Sequence, residues 1–236
     1  MRRAAAHVFV ADLDRPEIGD DDRHHLERVL RLRVGEKVTA SDGRGGLRVC
    51  AFAPGGALEP DGEIEVSAPP SPAIGVGFAL VKAEKPEWFV QKLTECGVDR
   101  IVPVASARSI VRWDPAKATR SLERWRRVAV EAAMQSRRRW LPAVEPLRPF
   151  EGVVGGTGFA LADPDGDPPD VERFPMVLVG PEGGWSDEER AAAAGRFVRF
   201  GPTVLRTATA AVAAGVVLVA LRDGAVRSAH NRAPRS

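Results

Sequence analysis

An apolar run of four residues, Met176 to Val179, is followed at once by Gly180-Pro181-Glu182-Gly183-Gly184, and then by Ser186 with Glu189 three positions on. This stretch restricts the possible folds more than any other. The run reads as a buried strand, and Ser186 with Glu189 makes the reciprocal capping box that starts a helix. Strand, glycine-rich turn and helix N-terminus, in that order, can hold a polar ligand with main-chain N–H groups. Gly180, Gly183 and Gly184 are read as residues free to take positive φ and to let a ligand approach the backbone closely. Glu182 adds one carboxylate. The turn is denser in glycine and proline than an ordinary strand–helix connection requires, so it is a candidate ligand site. It is not a P-loop, because no Gly-Lys-Ser/Thr follows it.

The same rhythm runs through the C-terminal two thirds. Val76 to Val81, Ile101 to Val104, Phe159 to Ala162 and Phe197 to Phe200 read as further strands. Pro86 opens a helix that Gly97 stops, and Pro115 opens a long one to about Arg138. Strands alternating with helices imply an α/β fold with a parallel sheet covered on both faces. Thr207 is placed to cap a last helix, Ala208 to Leu221, that is apolar almost all round and so must be buried in a core or against a second copy of the chain. The tail after about residue 222 is small, polar and basic, and is read as disordered.

Ahead of the proline cluster Ala68-Pro69-Pro70-Ser71-Pro72 the pattern differs, and the domain boundary is placed there, giving domains 1–69 and 70–236. His7 to Val10, Val38 to Ala40, Leu47 to Phe52 and Glu63 to Ser67 are short strands, the middle pair joined by a turn. Asp20 to Asp22 can cap a helix running to Arg33, with Leu26, Val29, Leu30 and Leu32 as its apolar stripe. Short strands, turn residues and one helix suggest a small barrel.

Composition excludes several classes. The 236 residues contain no apolar run long enough to span a bilayer, and the N-terminal apolar run is too short for a signal peptide. Cys50 and Cys96 have neither metal nor redox spacing and read as buried free thiols in a cytoplasmic protein. The four histidines are scattered, so no metal site is expected, and His24 and His25, being adjacent, are read as surface or capping residues. The net charge of +2 hides a segment, Ser106 to Trp140, with ten basic residues against three acidic ones. A concealed basic segment is what a polyanion-binding surface requires. Within it, Trp113 and Trp140 can stack on bases, while Trp125 falls at core spacing. Gly75-Val76-Gly77 lacks the third glycine of a dinucleotide fingerprint and lies in a strand, and Gly155-Gly156-Thr157-Gly158 reads as a plain loop.

Several motifs, in order from about His7 to Leu221, carry a resemblance to a known family. They are His24-His25-Leu26 with Val29-Leu30-Arg31, Asp42-Gly43-Arg44-Gly45, Leu80-Val81-Lys82-Ala83-Glu84-Lys85, Gln91 to Val98, Gly180 to Gly184, and Gly201-Pro202-Thr203-Val204-Leu205-Arg206-Thr207. The chain resembles the 16S ribosomal RNA (uracil-N3)-methyltransferases, the RsmE family of the SPOUT superfamily. The resemblance implies an N-terminal PUA-like β-barrel that binds RNA and a C-terminal SPOUT domain with a deep trefoil knot. It also implies a homodimer formed through that domain, partly through the last helix. The cofactor implied is S-adenosylmethionine, held without a metal by three loops. Their matches are Leu161 and Ala162 with the residues just after them; Val179, Gly180, Pro181, Glu182, Gly183 and Gly184; and Phe200, Gly201, Val204, Leu205, Arg206 and Thr207. The implied partner is 16S ribosomal RNA in the small subunit.

Uracil N3 carries a proton that must leave before or during methyl transfer, and a nearby cation lowers the cost of the anion. Arg206 is the candidate catalytic residue. Phosphate-contact candidates are Arg28, Arg31, Arg33 and Arg44 in the first domain, and Lys82, Lys85, Arg108, Arg112 and Arg138 in the second. The family usually has glutamate where this chain has Ala208 and Met134, so no general base is assigned. Those two positions leave a non-catalytic RNA-binding or ribosome-assembly role as the alternative.

Overall fold

The computed structural model describes residues 4–82, 84–111, 113–156 and 158–226. The expected disorder of the C-terminal tail concerns chiefly residues 227–236, outside the described residues. The chain forms two compact units. One takes the chain up to Pro69 together with Val130–Leu141, and the other takes Pro70–Ala129 and everything from Pro142 onward.

The first unit is built on a sheet of β1 (Ala6–Phe9), β2 (Lys37–Ser41), β3 (Gly46–Phe52), β4 (Leu58–Pro60) and β5 (Glu65–Val66). β1 and β2 are parallel, β2 and β3 form an antiparallel hairpin, and β3 pairs with both β4 and β5. The hairpin turn is set by Asp42, whose Oδ1 accepts from the N–H groups of Arg44 (2.7 Å) and Gly46 (2.9 Å). The strands enclose Val8, Leu26, Val38, Ala40, Cys50 and Phe52. Among the described residues no pairing joins β1 to β4 or β5, so the ladder of backbone hydrogen bonds does not close on itself. β3 divides its outer edge, giving Gly46 and Leu47 to β5 and Cys50 to Phe52 to β4, while β1 stays an end strand.

The helix expected from Asp20 to Arg33 is short. α1 (Asp20–His24) has Gly19 as an N-cap with no side-chain bond, a π-turn continues it over His25–Val29, and Arg31 at φ 54° reverses the chain. Only Leu26 of the expected stripe is buried; Val29 and Leu30 are 61% and 44% exposed. His7 was not singled out in the sequence, yet it is buried and pins β1. Its Nε2 donates to the Arg138 carbonyl at 2.9 Å, so its Nδ1 accepts from the Thr39 hydroxyl at 2.8 Å. Burial lowers its pKa to about 4, with the Arg138 carbonyl opposing that shift, and the ring is neutral.

The second unit carries β6 (Gly75–Ala79), α2 (Pro86–Glu95), β7 (Arg100–Ala105), the start of α3 (Pro115–Gln135), β8 (Ala143–Val144), β9 (Arg148–Pro149), β10 (Phe159–Asp167), β11 (Met176–Val179), α4 (Asp187–Ala193), β12 (Phe197–Val198) and α5 (Thr207–Arg222). The sheet is parallel throughout, in the order β12-β10-β11-β6-β7-β8, with β9 on β7. β6 and β11 are buried at every position, as continuous apolar runs in such a sheet must be. Phe78 stacks on Phe89 at 4.3 Å, and Trp125 is fully buried in the same core. Each such ring contributes about 2–3 kcal/mol on burial. α3 stops at Gln135, short of Arg138, because Arg137 takes φ 58°.

α5 packs on β6, α2 and β11 through Ala211, Ala214, Gly215 and Leu218. It is not buried all round, since Val216 is 48% exposed. Its far end is held by Arg222, which pairs with Asp99, a carboxylate that also accepts the Ile74 N–H at 2.8 Å. Hydrogen bonds and the charges of Asp223 and Asp99 together outweigh burial and raise the Arg222 pKa.

Candidate active site

Three neighbouring strands, β12, β10 and β11, end at one cavity of about 510 Å³. A crevice beyond the carboxyl ends of parallel strands is where this class of sheet binds ligands. Its walls are the segments that follow the strands.

β10 supplies the first wall through an irregularity. It pairs regularly with β12 at Leu161 and Ala162, loses register, and pairs again only at Asp167. The residues between bulge away, and Asp163 and Pro164 face the cavity. Gly166 permits this, because a Cβ there would lie 2.5 Å from the Val198 backbone nitrogen. Asp163 is paired with Arg190 of α4, which also lies over the Phe197 ring at 4.6 Å.

The loop after β11 is the second wall. Of its three glycines only Gly184 has positive φ, 70°, and its N–H closes a turn onto the Pro181 carbonyl at 2.9 Å. Gly180 has a different requirement: a Cβ there would come within 3.0 Å of the Trp185 ring. Gly183 has no such constraint, with Arg108 at ordinary contact distance. Trp185 is buried and donates its indole N–H to the Ala162 carbonyl at 3.2 Å, which joins the first wall to the second. The capping box is present, with Ser186 N–H donating to Glu189 Oε2 (2.8 Å) and Glu189 N–H donating to Ser186 Oγ (3.2 Å). The Ser186 and Glu189 N–H groups at the start of α4 are therefore taken up by the helix's own side chains and are not among those left to hold a polar ligand.

The third wall runs from Val198 through Phe200 and Gly201 to the first turn of α5. Thr207 does not cap this helix; Arg206 is the N-cap residue, without a side-chain cap bond. The buried Thr207 hydroxyl instead donates to the Gly180 carbonyl at 2.9 Å, tying the third wall to the second.

Of the expected cofactor residues, Ala162, Val179, Gly180, Pro181, Glu182, Gly184, Phe200, Gly201, Val204, Leu205, Arg206 and Thr207 line this one cavity. Leu161 does not, because its strand position turns it into the core, and Gly183 does not, because its carbonyl turns to the Arg108 guanidinium at 3.1 Å. Four arginines line the cavity. Arg190 is held by Asp163, Arg199 by the Gly166 carbonyl and Arg108 by the Gly183 carbonyl. Arg206 is exposed, and among the described residues its guanidinium has no hydrogen-bond or ion-pair partner. Asp163 falls among the residues expected just after Ala162, whereas sequence reasoning did not name Trp185, Asp187, Arg190 and Arg199 as site residues. Trp185 and Asp187 lie within the glycine-rich stretch already singled out, while Arg190 and Arg199 had no local signal.

The phosphate-contact candidates divide by burial. Arg28, Arg31, Arg33 and Arg44 are exposed on the first unit, and Lys82, Lys85 and Arg108 on the second. Arg138 is half-buried, with its Nε on the Trp140 carbonyl at 3.1 Å, and Arg112 lies outside the described residues. Both base-stacking candidates are packed on protein. Trp113 stacks on Trp125 at 5.5 Å, and Trp140 donates to Ser67 Oγ at 3.2 Å with its ring over Gly45. Ala208 packs on the core of the second unit and Met134 on that of the first. The carboxylates lining the cavity are Asp163, Glu182 and Asp187.

No described helix is long and apolar enough to cross a membrane. A family model described as RNA methyltransferase domain matches residues 69–219, and one described as RNA methyltransferase PUA domain matches residues 18–55. A Mycobacterium bovis protein named ribosomal RNA small subunit methyltransferase E is 36% identical over 221 residues, covering 85% of this chain and 84% of its own. A Synechocystis protein of the same name is 32% identical over 220 residues, covering 85% of this chain and 71% of its own. The crystal structure of the Neisseria gonorrhoeae protein of that name, bound to S-adenosyl methionine, matches with a TM-score of 0.73 and 24% identity over 92% of this chain and 97% of that one, which shows a common fold.

Proposed function

Because the chain belongs to the ribosomal RNA small subunit methyltransferase E family, we propose that it methylates N3 of a uridine in 16S ribosomal RNA of the small subunit, with S-adenosylmethionine as the donor. The observation that carries this is the convergence of three separate chain segments on one cavity beside Arg206, which has no partner among the described residues. The cavity volume falls within the roughly 300–1,000 Å³ usual for small-molecule sites. Val179, Val198, Phe200 and Ala210 offer apolar surface for an adenine face, and Asp163, Glu182 and Asp187 offer carboxylates to a cationic ligand. When bound, the donor supplies a methyl group on a sulfonium, a leaving group that needs no metal.

The protein's part is to position and to stabilise charge. The loops after β10, β11 and β12 hold the donor, and the bonds from Trp185 to Ala162 and from Thr207 to Gly180 keep them in register. Arg206, free to turn toward the target base, favours the uracil anion as the N3 proton leaves. The exposed basic residues of both units bind phosphates. The target nucleotide must be unstacked to enter a pocket built from loops. A cytoplasmic location follows from such a substrate.

Two finer features accompany this reading. The second unit is threaded as a trefoil knot, and a crystal structure whose backbone pulls free from its ends would remove that feature. The protein is a homodimer through the outward apolar face of α5 around Val216, so Val216→Asp would dissociate it in sedimentation equilibrium. A monomeric wild type would refute the dimer.

The function is tested by incubating the purified protein and labelled donor with small subunits from cells lacking the enzyme. Label at one uridine, together with calorimetric donor binding without added metal, is expected. Tight, salt-dependent subunit binding with no label would indicate a non-catalytic assembly role.

A further inference from the structure

Glu189 is 3% exposed, and among the described residues it has no cationic partner. Its charge is met by two main-chain donors on opposite sides. Oε2 accepts from Ser186 N–H at 2.8 Å, which is the capping box. Oε1 accepts from Ala107 N–H, also at 2.8 Å, although Ala107 is 82 residues away in the chain. A capping box needs only the first of these bonds. The second anchors the connection between β7 and α3, and the next residue in that connection is Arg108.

Arg108 is held at both levels by the segment 183–189. Its backbone follows Ala107, fixed to Glu189, and its Nη1 donates to the Gly183 carbonyl at 3.1 Å. The flanking Ser106 and Ser109 are buried with their hydroxyls 3.2 Å apart, so the turn between them is closed. The guanidinium is exposed at the edge of the cavity, and one N–H on a carbonyl leaves the rest of its donor fork for a phosphate. Glu189 itself does not line the cavity, and each of its oxygens already accepts a main-chain N–H, so it is not a general base.

We infer that Glu189 is a positioning residue: it clamps the Ala107–Arg108 segment so that Arg108 stands at the cavity rim to take a phosphate of the RNA strand delivering the target nucleotide. This rests on the proposed function. It also explains why the position carries a carboxylate, since a glutamine offers one acceptor oxygen and turns an NH2 toward the other donor.

The test is a double-mutant cycle on methyl transfer to small subunits, with wild type, Glu189→Gln, Arg108→Ala and the double variant at saturating donor. Glu189→Gln is expected to raise the KM for the subunit about tenfold, to leave donor affinity by calorimetry unchanged, and to add nothing on the Arg108→Ala background. An unchanged KM, multiplicative effects of the two substitutions, or a donor affinity that falls in step with KM would each overturn the inference. If Glu189→Gln does not yield folded protein, Glu189→Asp, which keeps the charge but is too short to meet both donors, enters the same cycle with the same outcomes. Failure of the cycle with an active wild type overturns the clamp alone, whereas a wild type that transfers no methyl group overturns the clamp together with the function.

Discussion

α4 and α5 both begin at the cavity, the first with a capping box that takes up the Ser186 and Glu189 N–H groups, the second with no side-chain cap. The first turn of α4 also carries Asp187 and Glu188, so the positive end of its dipole is neutralised from within. The first turn of α5 has no acid, its N-cap residue is a cation, and the one hydroxyl in position to help, that of Thr207, bonds to Gly180 instead. One helix start is closed and structural, and the other is open and electropositive. Under the proposed function, the second is the end suited to stabilising a developing uracil anion. The capping box, which is the clearest helix signal in the sequence, marks the end that is unavailable to an anion.

Three substitutions can break or sharpen this contrast. Arg206→Ala should have the largest effect, lowering kcat for methyl transfer about 100-fold or more while donor affinity and melting temperature hold; equal rates would remove the open end from the mechanism. Thr207→Val keeps the shape but leaves the Gly180 carbonyl without its donor. It should weaken calorimetric donor binding about tenfold by loosening two walls of the cavity, and unchanged affinity would show that the bond does not matter for the site. Ser186→Ala should cost least, about 1 kcal/mol in denaturant unfolding, with transfer kinetics near wild type. A large kinetic loss from Ser186→Ala would mean that α4 takes part in the chemistry and that the contrast is false.

Legibility varied with the range of the interaction. Met176 to Val179 reads as a strand because burial on both faces requires apolar residues at every position, and Pro86 and Gly97 bound α2 through their own backbone preferences. The two-residue strands β8 and β9 escaped notice, since so short a segment is defined by its partner β7 and not by its composition. The helix expected to Arg33 failed where tertiary packing left Val29 and Leu30 exposed. In the site, the glycine-rich turn and the stretch from Phe200 to Thr207 were readable, while the roles of their residues were not. Gly180 is glycine for Trp185 and not for φ, and Thr207 serves the neighbouring loop and not its own helix.

What the sequence determined by itself was the alternation of strands and helices, the loops that end the strands, and the candidate cation Arg206, because periodicity, proline, glycine and charge act locally or are carried by recognisable motifs. The tertiary structure alone decided that Asp163 and Arg190 pair at the cavity wall, that Trp185 and Thr207 join its walls, and that Glu189 grips Ala107 from 82 residues away. Each of these is a bond between groups that meet only after the sheet has assembled. A carboxylate in a chain carries no mark of which distant N–H it will accept.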